Sequence, residues 1–345
     1  MISVIIPVYN EGAALRRCLA GLWKQSIPRD GYEILVIDDG SVDGCCDGLE
    51  AEGVRVFRQK NQGPAAARNL GAGAARGDIL LFIDADCVPT PTFMESVLRR
   101  FEAPDVVAVI GAYLTRQTGL VPRYVQLEFE QRYRRLMMRE RIDFVGSHAV
   151  AFQRAAFLEA GGFRAELRMN EDVDLGYRLA ESGRHIVFDP EALVYHEHPE
   201  TVGQYFVTKF WKGYWRVVVY CTHPRKAISD SYTPHLLKVQ AALACALVAA
   251  MIASLASRQA LWIVAGCVVA STLSMSRFTW HAVHRSSMVA LVSFPMLWVR
   301  SVAIGLGAGM GILAYGLKML GLMPQPIARP IPADEPEDTG PSLGA

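Results

Sequence analysis

Carboxylates follow short apolar runs in the N-terminal part of the chain. Asp84 and Asp86 come directly after residues 79–83 (ILLFI), separated by one residue. Two hard oxygen ligands at this spacing can hold Mg²⁺ or Mn²⁺, which needs only one or two carboxylates besides phosphate oxygens and water. Helix capping is the alternative role for such a triplet. We interpret Asp84 and Asp86 as ligands of a divalent cation that holds a phosphorylated substrate.

Two other apolar runs end in the same way. Residues 2–8 (ISVIIPV) lead to Glu11, and residues 33–37 (EILVI) lead to a pair of aspartates. The second aspartate, Asp39, can accept a hydrogen bond from a base or ribose, whereas the first is suited to brace the turn. Arg68 follows Gly-Pro on a predicted helix and could reach phosphates, with a solvated arginine as the alternative. This set predicts a nucleotide site.

A second group of reactive side chains lies further along the chain. Glu171 and Asp172 begin a predicted helix, and two adjacent acids exceed what an N-cap needs. A transfer onto a hydroxyl requires a general base, for which Asp172 is preferred and Glu171 is the second candidate. His196 could complete a metal or pyrophosphate shell, although hard cations prefer oxygen ligands. His148 is explained better as a buried, hydrogen-bonded histidine.

An open α/β sheet would bring these residues together. Short Val/Ile/Leu runs separated by helical stretches are typical of parallel strands buried on both faces. In such sheets ligands bind beyond the carboxyl ends of the strands. We therefore expect a mostly parallel sheet flanked by helices. Its predicted strands are residues 2–8, 33–37, 79–83, 106–111, 149–153 and 192–195.

The arginine-rich segment 123–141 has two explanations. A solvated helix face accounts for it, and a lip over an anionic substrate is the alternative. The net charge of the chain is only +1, so no overall field points to nucleic acid.

The C-terminal part is unusually apolar. The chain is 51% hydrophobic, and the excess lies almost entirely after Pro234. Segments 236–256 and 259–276 are long enough to cross a bilayer, which takes about 20 residues. Segment 286–317 is either a span preceded by a short interfacial helix or a tight hairpin. We expect three or four transmembrane helices within residues 235–322 and a disordered, Pro-rich tail over 323–345.

Residues 201–234 are predicted to form an amphipathic interfacial helix and a linker. A core helix is the alternative. Aromatic and cationic faces side by side fit a helix in the membrane interface, and this segment offers Phe206, Phe210 and Tyr214 on one face and Lys209, Lys212 and Arg216 on another. Arg277 and Arg285 place the loop after the second span in the cytoplasm. The first strand opens at Met1 without a signal peptide, so we expect the N-terminal domain there too.

Six motifs together resemble the family 2 glycosyltransferases. They are VIIPVYNE, ILVIDDGS, NQGPAAARNLGA, ILLFIDADC, AGGF and NEDVDLGYRL, and they occur between residues 2 and 180 in the order of that family. The resemblance implies a GT-A catalytic domain over residues 1–200. It also implies inverting transfer from a nucleotide-activated sugar with Mn²⁺ or Mg²⁺ as cofactor.

The resemblance also implies residue roles. Asp84 and Asp86 would contact the ribose, metal and diphosphate, and Asp172 would be the base. The nucleoside would be lined by Pro7, Tyr9, Glu11 and Asp39. The donor-sugar and acceptor pocket would be shaped by Gly161, Gly162 and Phe163, with His148 beside them.

Several alternatives remain at this stage. Processive polysaccharide synthases of the family carry Gln-x-x-Arg-Trp, whereas Gln204 is followed here by YFVTKFW, which favours transfer of a single sugar. The aromatic helix and the spans favour a lipid-linked acceptor, with a glycan or a protein as alternatives. Nucleotidyltransferases usually have a Gly-rich basic loop after the first strand, where this chain has only Gly12. A non-catalytic nucleotide-binding membrane protein is the remaining alternative, against which the intact set of acids argues.

Overall fold

The computed structural model describes residues 1–322 of the chain, so the predicted Pro-rich tail over 323–345 lies outside the described residues. The strands within these residues are β1 Ile2–Val8, β2 Tyr32–Asp38, β3 Arg55–Arg58, β4 Ile79–Ile83, β5 Val88–Pro89, β6 Val106–Leu114, β7 Ala149–Gln153 and β8 His185–Tyr195. The helices are α1 Gly12–Leu22, α2 Pro64–Ala74, α3 Phe93–Arg100, α4 Leu120–Leu136, α5 Arg154–Glu159, α6 Glu171–Glu181, α7 Val202–Thr222, α8 Pro224–Ile228, α9 His235–Ser254, α10 Ala260–Val283 and α11 Ser287–Met319.

The strands form one sheet in the order β3-β2-β1-β4-β7-β6-β8-β5. The half containing β1, β2, β3 and β4 is parallel, and its apolar strands are buried on both faces, as predicted. β7 lies antiparallel between β4 and β6, whereas β8 is parallel to β6. The α/β class and the predicted strand positions are confirmed.

The sequence analysis missed β3, β5 and most of β8. β3 has the sequence RVFR, whose charged ends remove the apolar pattern of a buried strand. β5 has only two residues, which is too short to give a pattern. β8 begins at His185, but the polar triplet Asp-Pro-Glu in its middle interrupts the apolar run. Only its last four residues carry a recognisable β pattern.

The three C-terminal helices are long and apolar enough to cross a membrane. Their mean hydropathies are 2.1 for α9, 1.5 for α10 and 1.8 for α11. Large apolar side chains such as Leu255, Trp262 and Leu273 point outward, as lipid contact would require. Segment 287–319 is one continuous helix with Pro295 inside it. The predicted hairpin is therefore wrong, and an interfacial start of this helix stays a prediction.

Helix α7 packs closely along α11. A Cβ atom at Gly311 would lie 2.7 Å from the carbonyl oxygen of Tyr214, and one at Gly213 would lie 2.6 Å from that of Ile304. Glycines at these positions let the two backbones approach each other. Tyr214 and Arg216 on α7 are buried against protein, as the core-helix alternative expects. The location of α7 relative to a membrane stays a prediction.

A buried polar network joins the catalytic part of the chain to the apolar helices. Glu128 on α4 accepts hydrogen bonds from Lys209 Nζ on α7 at 2.9 Å and from Arg300 Nη1 on α11 at 2.8 Å. Arg300 Nη2 also donates to Gln240 Oε1 on α9 at 2.7 Å. Burial alone would raise the pKa of Glu128, but the two cations lower it to about 2.

Candidate active site

The sheet topology explains why distant residues meet at one edge. Asp84 follows the carboxyl end of β4, and the register pairs Ile83 with Ala149 at the start of antiparallel β7. His148, directly before β7, therefore lies beside Asp84. β8 ends at the same edge, which places His196 there as well. The predicted metal edge is thus assembled from three strands.

Arg68 connects this edge to helix α6. Its Nη2 donates to Asp84 Oδ1 at 2.7 Å and its Nη1 donates to Glu171 Oε1 at 2.9 Å. His148 Nδ1 forms a short contact with the other oxygen of Asp84. Because Arg68 is only 3% exposed, it acts here as a clamp between two acids rather than as a solvated arginine. Arg68 therefore fixes the position of Asp84, after β4, relative to helix α6, which carries the candidate base.

The two acids bound by Arg68 have pKa values shifted in opposite directions. Burial raises the pKa of Asp84, but Arg68 and His148 outweigh it and hold this pKa well below its usual range. Burial and the neighbouring Asp172 raise the pKa of Glu171 to about 7, against the opposing effect of Arg68. A buried acid bound to Arg68 is poorly placed to meet a substrate, which favours Asp172 as the base.

Asp86 and His196 have ligand atoms close enough to share a metal ion. His196 Nε2 lies 3.8 Å from Asp86 Oδ2, and His196 Nδ1 is buried without a hydrogen-bond partner among the described residues. Desolvation and the nearby Asp86 and Asp84 raise the pKa of Glu11 to about 7. An acidic cluster beside the His196 imidazole suits a divalent cation such as Mn²⁺. The neighbouring Cys87 thiol is buried, which raises its pKa well above the usual value and keeps it uncharged.

Asp172 is held by two backbone donors. Its Oδ2 accepts from the Ser147 amide at 3.0 Å, and its Oδ1 accepts from the Val173 amide at 2.7 Å. The side chain is partly exposed. A carboxylate has about four lone-pair sites, so Asp172 retains acceptor capacity for a substrate hydroxyl.

Asp39 organises a loop of the protein. Its carboxylate accepts from Gln59 Nε2 at 2.6 Å and from the amides of Gln62 at 2.9 Å and Gly63 at 2.8 Å. Gly63 has φ 89°, a conformation that favours glycine, and Pro64 then begins α2. The structure thus uses Asp39 to shape the loop that leads to Arg68. Asp38 braces its turn by accepting from the Ser41 amide at 2.7 Å, as predicted.

The first strand delivers the remaining predicted nucleoside residues to the same edge. Pro7 is buried within β1, and Tyr9 is partly buried just beyond its end. The sequence analysis assigned no role to Asn10 between Tyr9 and Glu11. Asn10 has φ 53°, and its Oδ1 accepts from the Val42 amide at 2.8 Å, which ties the first loop to the second.

The side chain of Asn69 holds the backbone of the Gly161-Gly162-Phe163 loop. Asn69 Nδ2 donates to the Phe163 carbonyl at 2.7 Å, and Asn69 Oδ1 accepts from the Phe163 amide at 2.9 Å. Gly161 and Gly162 have φ values of 79° and 64°. The Phe163 ring is 2% exposed and packs in the core against Phe82. Only the backbone of this loop is therefore available to line a pocket.

Helix α7 is attached directly beside the candidate base. Asn170, in a left-handed conformation with φ 65°, precedes Glu171. Its Nδ2 donates to the Lys212 carbonyl at 3.3 Å, and its Oδ1 accepts from Arg216 Nη2 at 3.1 Å. Neither contact was foreseen. The only sequence signal is an asparagine directly before a helix that begins with acids.

Comparison with known proteins identifies the N-terminal part. Residues 3–160 match the model of the family described as glycosyl transferase family 2. Residues 3–160 therefore form a family 2 glycosyltransferase domain. It is similar to the pre-mycofactocin glycosyltransferase of Mycobacterium tuberculosis, with 31% identity over 240 residues, which cover 65% of this chain and 48% of the relative. It is also similar to the glycosyltransferase AglE of Haloferax volcanii, with 39% identity over 104 residues, 27% of this chain and 33% of that protein.

A solved structure shows the same architecture. The mannosyltransferase PcManGT of Pyrobaculum calidifontis, determined in complex with GDP-Man and Mn²⁺, superposes with a TM-score of 0.56 at 21% identity. The match covers 88% of this chain and 86% of that one. The predicted GT-A fold followed by C-terminal helices is confirmed. The chain spans about half the length of the mycobacterial relative, 48% of which the match covers.

Proposed function

We propose that the protein is an inverting glycosyltransferase that moves one sugar from a nucleotide-diphosphate donor to a hydroxyl of a lipid-linked acceptor. The observation that carries this proposal is the Arg68 clamp, which holds Asp84 and Glu171 on its two nitrogens. It fixes the metal edge relative to Asp172, the residue next to Glu171. Donor and acceptor would then be aligned before reaction, which supplies much of the rate of such transfers.

The chemistry follows from these positions. When bound at Asp86 and His196, a divalent cation would neutralise the charge that grows on the leaving diphosphate. Asp172 accepts the proton of the acceptor hydroxyl. The hydroxyl oxygen forms a bond to the anomeric carbon, while the bond from that carbon to the diphosphate breaks and its electron pair leaves with the nucleoside diphosphate. Displacement from the face opposite the leaving group inverts the anomeric carbon.

The proposal includes a lipid-linked acceptor and a catalytic domain on the cytoplasmic side of the membrane. Three apolar helices follow the catalytic domain, and a lipid-linked acceptor would reach the site from the membrane in which they lie. Arg277 and Arg285 favour a cytoplasmic catalytic domain. The protein similar in fold was solved with GDP-Man and Mn²⁺, so a nucleotide sugar and Mn²⁺ are the first ligands to test, with Mg²⁺ second.

The Asp172→Asn variant tests the assigned base. Asparagine preserves the size of the side chain but accepts no proton, so transfer should fall by roughly 10²–10⁴-fold. Affinity for the nucleoside diphosphate should stay unchanged, because Asp172 is not among the residues of the metal edge. Glu166→Gln is the control, since Glu166 is exposed and close in sequence. Wild-type turnover in Asp172→Asn would remove Asp172 from this role.

A further inference from the structure

Three cations on α4 and α7 lie outside ion-pair distance of every carboxylate among residues 1–322. They are Arg132 on α4, and Lys212 and Arg216 on α7. Arg216 is only 8% exposed, and it donates to two neutral groups, Asn170 Oδ1 at 3.1 Å and the Tyr177 hydroxyl at 3.4 Å. Burying a charge without a counter-charge is costly. An arrangement of this kind points to an anionic ligand.

Tyr232 marks the centre of this cationic cluster. The guanidinium carbon of Arg132 lies 4.4 Å from the centre of its ring, and that of Arg216 lies 4.1 Å from it. Burial raises the pKa of Tyr232, but the charges of Arg132, Lys212 and Arg216 lower it to about 7. A lowered phenol pKa in a buried position reports a strongly positive potential.

The cationic cluster borders both halves of the active site. Tyr232 feels the negative charge of Asp172, and Lys212 also disfavours protonation of His148, which contacts Asp84. The Lys212 carbonyl is bonded to Asn170, two residues before Asp172. The cations therefore lie on the Asp172 side of the site, within electrostatic reach of the metal edge.

We propose that Arg132, Lys212 and Arg216 bind a phosphate group of the acceptor and so hold its reacting hydroxyl at Asp172. Arginine and lysine are the side chains that proteins use most for phosphate. The diphosphate of the donor has its own place at the metal edge, which leaves this anion site to the acceptor. The inference rests on the proposed function. A lipid phosphate and a soluble phosphorylated glycan share this chemistry.

The test measures binding to the full chain in neutral phosphatidylcholine nanodiscs. The ligands are farnesyl phosphate, farnesol and glycerol phosphate. Their binding is followed by the change in tryptophan fluorescence, to which Trp211 and Trp215 on α7 contribute. In Lys212→Gln and Arg132→Gln, the affinity for farnesyl phosphate should fall roughly 10- to 100-fold, since each variant loses a charge-assisted hydrogen bond. Lys212→Arg should retain binding. Arg225→Gln, which removes an exposed cation on α8, should behave as wild type.

Comparing farnesyl phosphate with glycerol phosphate distinguishes a lipid phosphate from a soluble phosphorylated acceptor. Binding of farnesyl phosphate that glycerol phosphate cannot match supports a lipid phosphate, whereas equal binding of both supports a soluble phosphorylated acceptor. Farnesol should bind weakly and equally to every variant. The proposal is overturned if Lys212→Gln and Arg132→Gln bind farnesyl phosphate as Arg225→Gln does. It is also overturned if these variants lose only nucleoside diphosphate binding, because the cations would then serve the donor.

Donor turnover in the same samples separates this proposal from the proposed function. A wild-type protein that binds farnesyl phosphate through Lys212 but consumes no nucleotide sugar would contradict the proposed function alone. If the donor is consumed normally but Lys212→Gln and Arg132→Gln bind farnesyl phosphate as the wild type does, only the anion site is contradicted. Unchanged nucleoside diphosphate affinity shows that each variant is folded.

Discussion

The packing of α7 on α11 should control activity, and Gly307→Ala tests this directly. A Cβ atom at Gly307 would overlap the carbonyl oxygen of Phe210 and would lie 3.1 Å from the amide nitrogen of Tyr214. Both are backbone atoms of α7, so no change of rotamer relieves the contact. α7 must move away by about 1 Å to restore van der Waals separation.

Two effects of Gly307→Ala can be given a magnitude. Overpacking costs about 1–3 kcal/mol of stability, offset in part by the gain of about 1 kcal/mol when alanine replaces glycine in a helix. The larger effect is on transfer. α7 carries Lys212 and is bonded to Asn170 beside Asp172, and a displacement of about 1 Å near a reacting centre can cost about 10²-fold in rate.

Gly309→Ala provides a matched control two residues away on the same helix. No atom lies within 4 Å of a Cβ built at Gly309, so this variant should keep the wild-type transfer rate and gain slightly in thermal stability. The assay is sugar transfer in nanodiscs together with thermal unfolding. If Gly307→Ala matches Gly309→Ala in both measurements, the close α7–α11 contact does not position the active site, and the reasoning is refuted.

Other predictions concern the polar network and the glycine loop. Glu128→Gln should lower the stability by about 3–5 kcal/mol in thermal unfolding, because it leaves two buried cations unpaired, whereas Glu130→Gln should have little effect. Because the pKa of Glu128 is lowered from 4.5 to about 2, its stabilisation is complete above pH 4.5. The free energy of unfolding of the wild type should fall by about 3 kcal/mol as the pH falls from 4.5 to about 2. That of Glu128→Gln should not show this loss. Asn69→Ala should reduce kcat/KM about 10-fold by freeing the Phe163 backbone, and unchanged kcat/KM would show that the loop does not depend on Asn69.

Much of the catalytic domain could be predicted because its signals are local. A short, β-branched and aromatic run such as ILLFI between polar residues favours a buried strand, and acids directly after such a strand lie at the carboxyl edge of the sheet. Asp84 and Asp86 were predicted in this way, whereas Asp172 was predicted from two adjacent acids at the start of a helix. His196 was found because the last residues of β8 are apolar, although most of that strand was hidden.

The remaining features depend on distant parts of the chain. Arg68 was predicted to reach phosphates, with a solvated arginine as the alternative, and only the fold shows that Asp84 and Glu171 lie on either side of it. Lys212 and Arg216 were assigned to the cationic face of an interfacial helix, because sequence periodicity does not show what packs against a helix face. Arg300 was an isolated charge in an apolar segment, and its partner Glu128 lies on a helix far earlier in the chain.

The account centres on metal-assisted consumption of a nucleotide sugar at the edge formed by Asp84, Asp86 and His196. The most direct measurement is release of nucleoside diphosphate by the full chain in membranes, across a panel of nucleotide sugars, with Mn²⁺ or Mg²⁺ and with EDTA. The account predicts release from a donor that requires the metal and is abolished by Asp86→Ala. A donor that binds but is not consumed with either metal, or release that is unaffected by Asp86→Ala, would contradict it.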